Sequence, residues 1–249
     1  MPFTFAHPLY AAPFKRVKPR WFSLTGLILG SMSPDFEYFF MLEPYQTIGH
    51  TLQGLFFQAI PISVCLALLF HYVVKRQMLF HLPFSKQIRQ NISIQRKQWI
   101  LNTLNKWVTF IVSIIIGFLT HIFIDSFTHV GGYFVVQSTF LQSKALGLPT
   151  YKILQHSLSL IGLIVPILLL LNRVKKGTAV QRFQSASIQQ KIRYWFIVLL
   201  TTLLVLILKL TVSSSENKLG IIVVAPITGF WIGIVISSVV YQWKERMRE

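Results

Sequence analysis

Three side chains that can bind a metal recur at four-residue intervals in one apolar stretch of the sequence. His121, Asp125 and His129 lie within GFLTHIFIDSFTHVGG, residues 117–132. Four residues are close to one helical turn, so a continuous helix places all three side chains on one face. Imidazole and carboxylate groups are costly to bury unpaired, and both ligate zinc and related divalent ions. The spacing therefore predicts a polar face that can hold a metal.

The rest of the chain has the composition of a membrane protein. It has 249 residues, of which 53% are hydrophobic and only 12% are charged, and its mean hydropathy is +0.57. A soluble domain carries about a quarter charged residues. Long runs nearly free of charge are typical of transmembrane helices. No linker-like stretch separates two cores, so we expect a single integral-membrane domain over residues 1–249.

The apolar runs predict an all-α fold, a polytopic membrane helix bundle with about six transmembrane helices. Of the 24 Lys and Arg residues, twenty fall on one side of these spans and four on the other. The positive-inside rule then places both termini in the cytoplasm. The spans are predicted near residues 22–42, 52–74, 107–127, 154–172, 194–212 and 219–243.

The net charge of +17 does not require a nucleic-acid partner, because the topology accounts for the basic residues and no basic–aromatic RNA-binding module is present. The basic loops 75–106 and 173–193 are predicted to lie near anionic lipid headgroups. Two Gly-x-x-x-Gly patterns, Gly26 with Gly30 and Gly229 with Gly233, predict close helix packing.

With this topology, several potential ligands collect at one depth near the outer side. The charge count that fixed the topology did not use any of them, so their convergence is independent support for a site. Neutral imidazoles and carboxylates favour zinc or a similar ion. The residues are Asp35, His50, His121, Asp125, His129 and His156.

These residues predict a centre for one or two divalent ions, with Asp35 and Asp125 as catalytic carboxylates. A metal with an open position makes a bound water nucleophilic near neutral pH. Structural roles remain open beside this one. Asp35 after Pro34 can cap a restarted helix, His50 can be a loop residue, and His129 and His156 can lie at the membrane interface.

His7 precedes the first cluster of positive charges, so the charge count places it on the cytoplasmic side, away from the other ligands. It reaches them only if residues 2–14 enter the membrane as a re-entrant segment. Such a segment is tolerated where protein buries its backbone.

Five motifs in order resemble an integral-membrane family of bacteria, domain-of-unknown-function family 4184. The resemblance covers most of the chain and implies a multi-pass protein of the bacterial cytoplasmic (inner) membrane. The motifs are MPFTFAHP at the start, GSMSPDFEYFF at 30–40, HTLQG at 50–54, HIFIDSFTH at 121–129 and QHSLSLIG at 155–162.

Two more distant likenesses point to metal chemistry. Residues 34–38, PDFEY, resemble the Leu-Pro-Asp-x-Asp-His motif of membrane-bound metal-dependent hydrolases, although Glu37 and Tyr38 replace its second Asp and its His. The order of histidines and acids is similar to that of zinc-dependent phospholipase C, but the later His-x-x-x-Glu of that enzyme is missing because Leu160 follows His156. That likeness implies as metal ligands His7, Asp35, His50, His121, Asp125 and His129.

The leading hypothesis is a membrane-embedded metal-dependent hydrolase acting on a phosphoester such as a phospholipid headgroup. The alternative is a non-enzymatic membrane protein, either a proton- or metal-coupled transporter or a structural bundle whose His and Asp side chains only bond between helices. The expected partners are membrane lipid and a lipid or small-molecule substrate, with no nucleic acid. A homo-oligomer remains open.

Overall fold

The computed structural model describes residues 3–83, 99–176 and 186–247. These residues are almost all helical, with short 3₁₀ turns at Thr4–Ala6 and Ser33–Asp35 and a small antiparallel pair of strands, β1 (Lys144–Ala145) and β2 (Leu148–Pro149). The α-helices are α1 (Pro8–Ala11), α2 (Pro13–Val17), α3 (Leu24–Met32), α4 (Phe36–Met41), α5 (Leu52–His81, with π-helical turns at Leu55–Ala59 and Leu69–Val74), α6 (Leu104–Asp125), α7 (Tyr133–Gln137), α8 (Thr139–Gln142), α9 (Thr150–Lys176), α10 (Ile188–Val212) and α11 (Lys218–Arg246).

Five of the described helices are long and apolar enough to cross a membrane. They are α5, α6, α9 over Thr150–Asn172, α10 and α11, and they overlap the last five predicted spans. The prediction of an all-α membrane helix bundle is therefore confirmed. The count of six spans and the cytoplasmic location of both termini stay predictions.

The first predicted span, residues 22–42, folds differently from the others. It consists of α3 and α4 joined by the 3₁₀ turn Ser33–Asp35, and it is not among the five long apolar helices. Pro34 has no backbone N–H and cannot continue regular helical bonding. Asp35 and Glu37 lower the hydropathy of the same segment. The predicted basic loop 75–106 lies partly in α5 and α6, and the loop 173–193 lies partly in α9 and α10. Residues 84–98 and 177–185 of these loops lie outside the described residues.

The chain divides into two compact units. The first contains residues 1–36, 47–67 and 100–171, and the second contains residues 37–46, 68–99 and 172–249. The prediction of a single membrane domain stays a prediction. All of the candidate metal ligands lie in the first unit.

In the first unit, α3 packs against α6 through glycines. A Cβ at Gly30 would lie 2.1 Å from the Ile114 carbonyl oxygen, and one at Gly117 would lie 2.5 Å from the Leu27 oxygen. A Cβ at Gly26 would likewise lie 2.7 Å from the oxygen of Phe110. The packing role predicted for Gly26 and Gly30 is thus confirmed. Gly26 meets Phe110 and Gly30 meets Ile114, so residue numbers increase in the same direction along both helices, and α3 and α6 run parallel.

Two further segments of the first unit surround α6 and α3. The first turns of α5 bury Leu55 and Ala59 against Phe118. The N-terminal segment, residues 3–17, is bonded to α9, where the Ser159 hydroxyl accepts from the Phe3 N–H at 3.0 Å. Where the same segment passes α9, a Cβ at Gly162 would lie 2.4 Å from Ala6 Cβ. The segment is therefore docked against α9.

The second unit is built on an antiparallel hairpin of α10 and α11. A Cβ at Gly229 would lie 2.9 Å from Thr202 Cα, and one at Gly233 would lie 2.8 Å from Val198 Cα. The close packing predicted for this glycine pair is confirmed. In the last turn of α10, Lys209 Nζ lies 2.8 Å from Oε1 of Glu43, which follows α4.

Candidate metal centre

His121 is fully buried on α6, and its two ring nitrogens have different surroundings. Nδ1 lies 2.7 Å from the Ser31 carbonyl oxygen, so Nδ1 carries the proton that is donated to it. Nε2 then keeps a lone pair, 3.2 Å from Oδ2 of Asp125 one turn further along α6. Histidines that bind a metal through one ring nitrogen commonly donate the N–H of the other ring nitrogen to a backbone carbonyl oxygen in this way. His121 therefore has the orientation of a metal ligand.

Asp35 is buried in the 3₁₀ turn after α3, and the parallel packing of α3 on α6 brings it to His121. One oxygen, Oδ2, accepts a hydrogen bond of 2.6 Å from the Thr4 hydroxyl. The other oxygen, Oδ1, lies 3.7 Å from Nε2 of His121 and 3.8 Å from Nε2 of His50. The Thr4 bond thus fixes the carboxylate with Oδ1 towards the histidines.

His50 comes from the loop before α5. Thr51 caps that helix, because its hydroxyl accepts the Gly54 N–H at 3.0 Å. A Cβ at Gly54 would lie 2.0 Å from the Ile48 oxygen, so the loop is held close to the helix start. Nε2 of His50 lies 3.3 Å from Oδ2 of Asp125.

Four potential ligand atoms from Asp35, His50, His121 and Asp125 lie close to one another. Two nitrogens, Nε2 of His50 and Nε2 of His121, each lie between two oxygens, Oδ1 of Asp35 and Oδ2 of Asp125, at 3.2–3.8 Å. Zinc–ligand bonds of 2.0–2.2 Å give tetrahedron edges of about 3.3–3.6 Å. Four of the six edges are therefore close to the length that one zinc-sized ion requires.

His7 joins this cluster through the docked N-terminal segment. Its ring stacks on His121 with centroids 3.7 Å apart, and its Nε2 lies 3.6 Å from Oδ1 of Asp125. The charge count alone placed His7 away from the site, and the re-entrant alternative agrees with its observed position. Two groups of potential ligands result, His7 with His121 and Asp125, and Asp35 with His50 and His121.

His129 lies beside the cluster and belongs to neither group. α6 ends at Asp125, so His129 follows on a turn, and its Nδ1 lies 3.7 Å from Oδ1 of Asp125. Its Nδ1 donates to the Asp125 carbonyl oxygen at 3.1 Å. Burial lowers the pKa of the His129 imidazole, against the opposing effect of the Asp125 carboxylate. His156 is exposed on α9 and is also in neither group.

The charges of the cluster fit a divalent cation. Asp35 is 0% exposed and Asp125 is 7% exposed, and burying two carboxylates so close together is costly without positive charge. Among the residues that the structure describes, Oδ1 of both aspartates and Nε2 of His121 are buried without a hydrogen-bond partner. Oδ1 of Asp35 and Nε2 of His121 lie in the group with His50, and Oδ1 of Asp125 faces His7, so positive charge within these two groups would satisfy the orphaned atoms.

The family model described as domain of unknown function (DUF4184) matches residues 1–241. The chain belongs to this family. No curated protein and no solved structure matches it. The DUF4184 match includes every candidate ligand, but the family description assigns no activity. The likeness to metal-dependent hydrolases and to zinc-dependent phospholipase C therefore stays a prediction.

Two contributors to this DUF4184 site escaped the sequence reasoning. Thr4 orients Asp35, and the Ser31 carbonyl oxygen orients His121. Thr4 lies in the MPFTFAHP motif, three residues before His7, so the motif gave a signal for it. Ser31 acts through its backbone, which no side-chain pattern reveals.

Proposed function

We propose that this DUF4184 protein is a membrane-embedded, metal-dependent hydrolase of phosphoesters, with a phospholipid headgroup as the substrate. The observation that carries the proposal is the buried cluster in which Nε2 of His50 and Nε2 of His121 each lie 3.2–3.8 Å from carboxylate oxygens of both Asp35 and Asp125. Three separated parts of the chain contribute to it, and a structural hydrogen-bond network has no need of that spacing.

The chain's own residues hold and orient the centre. His121 is fixed by the Ser31 oxygen and Asp35 by the Thr4 hydroxyl. Asp125 directs Oδ2 towards His50 and His121, and Oδ1 towards His7. These residues would hold one or two divalent ions. A divalent ion, zinc by its ligand chemistry, lowers the pKa of water and stabilises negative charge on phosphoryl oxygens.

Substrate approach is from the side of His50 and His129. Their side chains are 22% and 31% exposed, whereas those of His7, Asp35 and His121 are almost completely buried. A headgroup can therefore reach the ligand atoms from the His50 side without unfolding the packed helices. We place the protein in the bacterial cytoplasmic membrane with this opening towards the outer leaflet, as the distribution of Lys and Arg suggests.

A proton- or metal-coupled transporter is the competing function, and the rest of α6 argues against it. A through-path needs ionisable or polar groups along the helix. The buried residues of α6 before His121 are Phe110, Ser113, Ile114, Gly117 and Phe118. None of these is ionisable, and the one polar side chain, Ser113, is bonded to the Thr109 oxygen and the Ser23 N–H, so this face lacks the chain of ionisable groups that a relay towards the start of α6 needs.

The first test is the metal content of the purified full-length protein after equilibration with zinc. We expect one or two ions per chain in the wild type and a loss of at least one ion in His121→Gln and Asp125→Asn. The matched controls are His156→Gln and Glu216→Gln, which alter exposed residues outside the cluster. Variants that lower thermal stability but keep full metal content indicate a structural bundle and contradict the proposal.

The second test is phosphoester hydrolysis by the zinc-loaded protein. We expect headgroup release from phospholipid vesicles by the wild type and both controls, and none by Asp35→Asn. A proteoliposome assay on the same preparations separates the classes. Zinc or proton flux without any hydrolysis identifies a transporter and overturns the proposed activity.

A further inference from the structure

A groove of about 550 Å³ runs along α6 in the first unit. This volume lies within the range of small-ligand sites. Two hydroxyl residues also lie in its wall, but each donates within its own helix, Thr120 to the Gly117 oxygen and Ser126 to the Phe123 oxygen, both at 2.6 Å. The groove therefore offers an apolar surface, lined by Phe14, Ile116, Leu119, Phe123, Tyr133 and Phe134.

The apolar wall of the groove follows α6 for several helical turns. Its wall on α6 extends from Ile116 to Ser126, ten residues or about 15 Å of helix. Tyr133 and Phe134 close the end near Ser126, where the Phe134 N–H bonds to the Ser126 oxygen at 3.1 Å. Because α6 is one of the helices long and apolar enough to cross a membrane, this face borders hydrocarbon.

Positive charge lies at the other end of the groove. Phe14 belongs to α2, and its ring centroid lies 5.8 Å from that of Phe22. The Ser23 N–H donates to the Ser113 hydroxyl at 2.7 Å, so this part of the chain meets α6 before the groove begins. The residues between carry four positive charges and an exposed tryptophan of the kind found at membrane interfaces: Lys15, Arg16, Lys18, Arg20 and Trp21.

We propose that this groove binds one anionic phospholipid, with an acyl chain along α6 and the phosphate at the basic residues that follow Phe14. An apolar groove that ends at clustered Lys and Arg side chains matches both the acyl chain and the negative headgroup charge of such a lipid. A zwitterionic lipid lacks the matching net charge. The site is separate from the metal centre. Leu119 and Phe123 are each two residues from His121, about 200° away around α6.

The proposal is tested by native mass spectrometry of the full chain in detergent, with phosphatidylglycerol or phosphatidylcholine of identical acyl chains added. Each basic residue near a phosphate contributes about fivefold in affinity. We therefore expect one retained phosphatidylglycerol per chain, bound about tenfold or more tightly than phosphatidylcholine. The double variant Arg16→Gln with Lys18→Gln should lose most of that preference. Its control, Lys144→Gln with Lys152→Gln, removes two charges elsewhere in the same unit and should keep it.

A second variant tests the acyl groove without changing charge. Leu119→Trp fills the groove and should lower retention of phosphatidylglycerol at least tenfold, whereas Leu160→Trp, on the exposed surface of α9, should leave it unchanged. Equal retention of the two lipids by the wild type overturns the proposal. So does unchanged retention by Leu119→Trp, or a lipid-free dimer that Leu119→Trp dissociates, since the groove's occupant is then a second copy of the chain.

Discussion

The Thr4 hydroxyl donates a 2.6 Å hydrogen bond to Oδ2 of Asp35, thirty-one residues away in sequence and fully buried. The bond links the N-terminal segment to the turn that interrupts the first predicted span. It leaves Oδ1 of Asp35 to face His50 and His121. Thr4 thus sets which oxygen of the carboxylate faces the candidate metal position.

Replacing Thr4 with Val should weaken zinc binding by about 10–100-fold, the usual cost of removing a group that orients a metal ligand. Val keeps the shape of Thr but lacks the donor. Thr4→Ser keeps the hydroxyl and should restore most of the affinity. Competition with a chromophoric chelator measures both values. Identical zinc affinity in Thr4→Val and wild type means that Asp35 does not need this bond in order to bind metal.

The parallel contact of α3 with α6 should be intolerant of a single added methyl group. A Cβ at Gly30 meets the Ile114 backbone at 2.1 Å, and backbone cannot move aside as a flexible side chain can. We expect Gly30→Ala to destabilise the fold by about 1–3 kcal/mol and to weaken zinc binding, because Asp35 follows α3. Gly131→Ala is the control, since nothing lies within 4 Å of its added Cβ. Thermal unfolding in detergent should separate the two variants clearly.

The docking of the N-terminal segment on α9 should determine how well His7 contributes to zinc binding. Gly162→Val places a branched side chain against Ala6 and touches no candidate ligand. We expect it to raise the zinc Kd about tenfold or more, as His7→Gln should. The double variant should be no weaker than His7→Gln alone, because both changes remove the same contribution. Additive losses in the double variant indicate that Gly162 acts on zinc binding by another route.

The ease of predicting each site residue follows from how far along the chain its partners lie. His121 and Asp125 are one turn apart, so helical periodicity alone brought them together. Asp35 and His50 needed the order and direction of the spans, which the charge count supplied. The position of His7 depends on contacts between residues 3–10 and α9. No local sequence pattern predicts these contacts. The role of His129 as a ligand stays a prediction, because it follows the end of α6 and belongs to neither group of potential ligands.

The elements of the fold also differ in how well local sequence signals predicted them. Long apolar runs found the five helices that can cross a membrane, since length and hydropathy are local properties. The turn at Ser33–Asp35 interrupts the first predicted span because Pro34 breaks helical bonding. The sequence reasoning counted residues 22–42 as one span but left open a helix that restarts at Asp35. The short helices α7 and α8 and the strand pair after them went unpredicted, since segments of two to five residues carry no periodicity to detect.

The ion pair of Glu43 with Lys209 gives the second unit a testable pH dependence. The Lys209 ammonium, bonded to Glu43 at 2.8 Å, lowers the pKa of that carboxyl, with a smaller contribution from Lys218. A lowered folded-state pKa means that the stabilisation is complete above about pH 4.3, the ordinary Glu value, and is lost as pH falls through the folded value. Partly exposed pairs contribute about 0.2–1 kcal/mol. A double-mutant cycle of Glu43→Gln and Lys209→Met, followed by thermal unfolding, should give coupling of that size at pH 7 and a smaller coupling near pH 2. Coupling that persists unchanged at low pH contradicts an ionic origin, because Lys209 can then donate only to an uncharged Glu43 carboxyl.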